Sequence, residues 1–99
     1  MVKHIVLFKL KKNINEIQKK EAMETFRAKI LALPKKISWI RHIEVDFNIN
    51  PAEKWDICLN SDFDTLEEVK SYSIYPDHLA AAGGLKPNVE ERACVDYEY

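Results

Sequence analysis

Hydrophobic positions change their period several times along the chain, and each change marks an element. From Val2 to Lys11 the side chains alternate strictly. Val2, His4, Val6, Phe8 and Leu10 share one side, and Lys3, Ile5, Leu7, Lys9 and Lys11 share the other. Both sides are apolar at their centre, which predicts a strand covered front and back. Asn15 followed by Gln18 has the spacing of a capping box, and neither Gly nor Pro interrupts the chain until Pro34. Ala22, Met23, Phe26, Ile30 and Leu33 recur at helical spacing between these limits. The pattern predicts a helix over 15–33.

Alternation then returns. Trp39, Arg41, Ile43, Val45, Phe47 and Ile49 oppose the polar-leaning set Ser38 to Asn48, predicting a second strand over 38–49. Asn50-Pro51 signals a turn, and Trp55, Ile57, Leu59 and Phe63 alternate in a third strand, so the two form a hairpin. Asp64 and Glu67 have capping-box spacing ahead of a short helix with Leu66, Val69 and Ser73 inward, with Asp64 as the cap. Pro76 breaks that helix around Ile74-Tyr75. A further turn or two runs from Asp77 to Ala82 and ends at Gly83-Gly84, and residues 92–99 alternate again as a last strand.

The order strand, helix, strand, strand, helix, strand has an economical solution. It is a single α+β domain over 1–99 of ferredoxin-like βαββαβ topology. There the first strand is central and the helices cover one face of the sheet. Ile5 and Leu7 would then face water, at a cost of several kcal/mol at about 25 cal/mol per Å² of apolar surface. A second copy packed sheet against sheet removes that cost, so the expected assembly is a homodimer, a dimeric α+β barrel.

Composition narrows the function. The 99 residues carry 15 Lys+Arg and 16 Asp+Glu, a net charge of −1, which supplies no field to hold duplex nucleic acid or an anionic membrane. No apolar stretch approaches the roughly 20 residues of a membrane span, and the opening residues lack a signal-peptide pattern, so a cytoplasmic protein is expected. Cys58 and Cys94 form no CxxC or zinc-ligand spacing. On strands flanking the first, their Cα atoms would lie about 10 Å apart, too far for a disulfide.

Candidate chemistry rests on histidines. His4 sits mid-strand among apolar residues, where an imidazole is either paired or lining a cavity; His42, beside Glu44, reads as solvated. His78 follows the Pro76 break, six residues after Tyr72. A kinked helix end can bring the imidazole and the phenol together, the first as a base near neutral pH and the second as a donor to a developing oxyanion. A structural Tyr–His contact packing the post-helix segment explains the same spacing. The acidic residues Asp62, Asp64, Glu67 and Glu68 read as caps and a solvated face, and no metal or cofactor motif is present.

Val2-Lys3-His4-Ile5-Val6-Leu7-Phe8-Lys9-Leu10, the block Tyr72-(x)3-Pro76-x-His78 and Val95-Asp96-Tyr97 resemble the stress-responsive A/B barrel (Dabb) family over essentially the whole chain. The resemblance implies a dimeric α+β barrel with a small-molecule pocket between sheet and helices. A plant polyketide cyclase of this family works without cofactor or metal. By that likeness His78 and Tyr72 would be catalytic, and His4, Val6, Met23 and Phe26 would line the pocket for a small apolar or aromatic ligand. Tyr75 stands where many relatives have a second histidine, and Ala80-Ala81-Ala82-Gly83-Gly84 lacks aromatic bulk, so the substrate does not transfer. Two alternatives stay open: a non-catalytic stress-related structural or binding protein, and a cofactor-independent monooxygenase or isomerase of the same barrel class.

Overall fold

A computed structural model describes residues 1–99. Strand β1 (Val2–Leu10) leads into α1 (Glu16–Leu31), a 3₁₀ turn (Leu33–Lys35), β2 (His42–Phe47), β3 (Ile57–Phe63), α2 (Leu66–Ile74), α3 (Pro76–Gly83), a second 3₁₀ turn (Lys86–Asn88) and β4 (Val89–Glu98). The sheet order is β2-β3-β1-β4 with every neighbour antiparallel, which is the ferredoxin-like arrangement.

Local chemistry explains most boundaries. The Asn15 side chain accepts the Gln18 backbone N–H at 2.8 Å and starts α1. At α2 the cap is Thr65 rather than the expected Asp64. The Thr65 hydroxyl accepts the Glu68 N–H at 3.2 Å, and the Glu68 carboxylate accepts the Asp64 N–H at 2.8 Å. Asp64 is instead held by the Arg41 guanidinium, at 2.9 and 2.7 Å. Leu66 faces outward, 42% exposed, while Val69 and Tyr72 are buried in the core. Tyr75, extended at ψ 132°, separates α2 from α3 because proline follows it.

The second strand is shorter than its alternation suggested. Ile37 and Ile40 are both buried, and they sit on a turn after the Pro34 3₁₀ segment rather than on the sheet. Trp39 packs its ring against Phe63 and Tyr75, with centroids 6.1 and 6.3 Å away. No helix of the chain is long and apolar enough to cross a membrane.

Register assigns the two faces of the sheet. Val2, Val6 and Leu10 are buried under the helices with Leu59, Phe63, Phe26 and Ile30. On the opposite face Ile5 pairs with Val95 and Leu7 with Ala93, and no helix lies over them. Val95 and Tyr97 are 53% and 45% exposed there. Register also separates the cysteines: Cys58 pairs with Leu7 on the helix-free face and Cys94 with Val6 on the helix face. Both are free thiols.

Candidate active site

Between the helix layer and the sheet lies a cavity of about 730 Å³. Val6, Phe8 and Leu59 from the strands, Phe26 from α1, and Leu79 from α3 form its apolar wall. His4 and His78 are its two imidazoles. Its volume falls within the usual range for small-molecule sites.

His78 stands on the first turn of α3, where the Pro76 break turns the chain back over the sheet. Its Nδ1 lies 3.2 Å from the Ser73 carbonyl oxygen, which can only accept. Nδ1 therefore carries the proton, and Nε2 keeps its lone pair. Burial pushes the His78 pKa below its ordinary 6.5, against the Ser73 hydrogen bond, so the ring is neutral at pH 7.

Tyr72, on the last full turn of α2, stacks obliquely on His78 with ring centroids 4.3 Å apart and planes at 47°. The two rings meet as expected, but not through a hydrogen bond. The Tyr72 hydroxyl is buried without any partner, and the residue stands behind the cavity wall rather than on it. Burial raises its pKa, so the phenol stays protonated.

His4 is buried, 4% exposed, and is also paired. Its Nδ1–H donates to Asp96 Oδ1 at 2.5 Å, and Cys94 Sγ lies 3.6 Å from the same nitrogen. Alternation within residues 92–99 puts Cys94 and Asp96 on one side of β4. Only the β1–β4 register brings them opposite Val6 and His4. His4, Cys94 and Asp96 have donor atoms within 4.8 Å of one another, a set of metal-ligating types that sequence spacing did not reveal. A tetrahedral zinc holds nitrogen and oxygen ligands about 3.3 Å apart at its usual bond lengths. Here the His4 imidazole and the Asp96 carboxylate are bonded directly to each other.

Of the other expected pocket residues, Val6 and Phe26 line the cavity and Met23 does not; it packs against the core beside Phe26. The acidic residues of this region have separate partners. Asp62 is on the helix-free face with Lys3 and Tyr99, Asp64 pairs with Arg41, and Glu68 caps α2. Burial alone would raise the Asp62 pKa, but hydrogen bonds from Lys3 and Tyr99 outweigh it and hold the carboxyl below its ordinary range. His42 is exposed beside Glu44, at 2.5 Å. Ser73, Leu85, Lys86, Glu90 and Arg92 line the cavity without having been anticipated.

Comparison with known proteins agrees with this architecture. A family model described as Stress responsive A/B Barrel Domain matches residues 2–99. Olivetolic acid cyclase from Cannabis sativa is 26% identical over 98 residues, covering 97% of this chain and 94% of that protein. A crystal structure from Bacteroides fragilis, described as a dimeric protein of unknown function and ferredoxin-like fold, superposes with a TM-score of 0.96 at 52% identity, covering 99% of this chain and 95% of that one. Hydroxynitrile lyase from Passiflora edulis superposes with a TM-score of 0.74 at 18% identity, covering 97% and 90%, a likeness of fold.

Proposed function

The chain belongs to the stress-responsive A/B barrel family, and from that premise we propose a homodimer whose cavity binds a small, partly apolar molecule and performs acid–base chemistry through His78 and Tyr72. One observation carries this reading: His78 lines the cavity with Nδ1–H spent on the Ser73 carbonyl, so Nε2 is the basic atom available to a bound molecule.

In the proposed step, Nε2 takes a proton from a carbon activated by a neighbouring carbonyl. The C–H electron pair moves onto the carbonyl oxygen. The Tyr72 hydroxyl has no protein acceptor, and for it to donate to that oxygen the ring must turn from behind the wall into the cavity. The enolate carbon then attacks a second carbonyl carbon of the same molecule, whose π pair moves onto its oxygen, and that oxygen takes back the proton held on Nε2. His4, fixed by Asp96, positions the substrate from the sheet side. The relatives named above as a cyclase and a lyase lend support to catalysis in this fold.

The homodimer is supported by the helix-free face carrying Ile5, Leu7, Val95 and Tyr97, and by the 52%-identical structure described as dimeric. A second reading, a non-catalytic structural protein, draws on Tyr72 itself. Its ring is wholly buried between Phe63, with centroids 5.1 Å apart, and His78.

A thermal-shift screen of phenolic, polyketide-like and carboxylic compounds, repeated on His78→Ala and Tyr72→Phe, separates the two. The acid–base reading expects stabilising compounds whose conversion is lost in His78→Ala and reduced by roughly 10²-fold or more in Tyr72→Phe. Ligands bound and converted equally by all three proteins would overturn it.

A further inference from the structure

The same cavity has a charged lip. Lys86, on the second 3₁₀ turn, and Arg92, on β4, both line it, and neither meets a carboxylate of the protein. Glu90 is the single acidic residue on the wall, and Lys9 already holds it. The lining therefore presents two unanswered cations and no free anion.

The apolar lining is placed to complement that charge. Arg92 pairs with Phe8 in the β1–β4 register, one step along the same face from Val6. Its guanidinium thus follows directly on the apolar stretch that leads toward Leu59 and Phe26. A ligand with a long polar body would leave those walls unsatisfied, and a wholly apolar one would leave the two cations unanswered.

From this we propose that the cavity selects a monocarboxylate with an apolar body, its carboxylate held by Arg92 and Lys86 and its tail among Val6, Phe8, Phe26 and Leu59. The inference rests on the cavity being a ligand site and adds the class of ligand. Arg92 supplies the planar fork that matches a carboxylate, and Lys86 supplies a point charge.

Isothermal titration with octanoate and 4-butylbenzoate, each against its primary amide, tests this. The acids are expected to bind at least tenfold tighter than their amides. That preference should fall about tenfold in Arg92→Gln, vanish in the Arg92→Gln/Lys86→Gln pair, and shrink at 0.5 M salt, where charges this exposed are screened. Ring-proton signals of His4 and His78 should shift as octanoate is added. Equal binding of acid and amide, or an undiminished preference in the double variant, overturns the carboxylate assignment while leaving the cavity as a ligand site. Binding that moves neither histidine signal places the acid elsewhere and also overturns the assignment. If no probe binds the unaltered protein, the carboxylate assignment fails, and the compound screen above still tests the ligand site by itself.

Discussion

Asp96 on β4 and His4 on β1 face each other on neighbouring strands, with Oδ1 and Nδ1 2.5 Å apart, and of the two only His4 lines the cavity. The imidazole is almost wholly buried, and the carboxylate fixes both its tautomer and its orientation. Removing the carboxylate leaves Nδ1–H with only the distant Cys94 sulfur. Asp96→Ala should therefore cost about 1–3 kcal/mol, each kcal/mol lowering Tm by roughly 4–8 °C in a domain of this size. Asp96→Asn, whose amide oxygen still accepts, should recover most of the loss. A melting curve for Asp96→Ala that overlays the parent would show that this pair contributes nothing.

Gly83 offers a way to close the cavity without disturbing the fold. It lines the cavity, no glycine of the chain has positive φ, and a Cβ added there meets nothing within 4 Å. Gly83→Ala should be neutral or stabilising by up to about 0.5–1 kcal/mol. Gly83→Phe should keep the parent's melting temperature and weaken any cavity ligand at least tenfold, read by titration. Unchanged affinity in that variant would mean that the ligand enters by another route.

How much of this was legible beforehand differs by element. The central strand and α1 follow from periodicity, because burial on both faces or on one stripe leaves a clear imprint. The start of β2 does not, since Ser38 to Arg41 alternate yet belong to a turn in which Ile37 and Ile40 both face the core. At α2 two capping boxes overlap by one residue, and only the tertiary pairing of Asp64 with Arg41 decides between them. His4 and His78 were readable as candidates from their places on the strand and after the proline. Met23 shares the α1 stripe with Phe26, and a stripe does not tell core from cavity wall. Asp96 becomes a partner of His4 only through the β1–β4 register, which aligning Ile5 and Leu7 with Val95 and Ala93 would have given.

The helix-free face yields a direct test of assembly. If a second copy covers Ile5 and Leu7, Leu7→Glu buries an unpaired charge at a cost of several kcal/mol. The dimer dissociation constant should then rise by about a hundredfold or more, measured by sedimentation equilibrium. A parent protein that sediments as a monomer at micromolar concentration would remove the dimer.

Protonation of His78 links the site to pH. Burial lowers its pKa below 6.5, so the unfolded chain binds the proton first. The stability this residue contributes is complete above pH 6.5 and is lost as pH falls through the lowered folded value. His78→Gln should flatten that acid limb of the Tm–pH curve. The reading as a base makes a sharper demand, which ¹⁵N correlation spectra of the His78 ring meet directly. At pH 7 the ring should be neutral with the proton on Nδ1, should titrate below 6.5, and its Nε2 signal should move when a stabilising compound binds. A ring charged at pH 7, or an Nε2 signal that no stabilising compound moves, would contradict the proposed site.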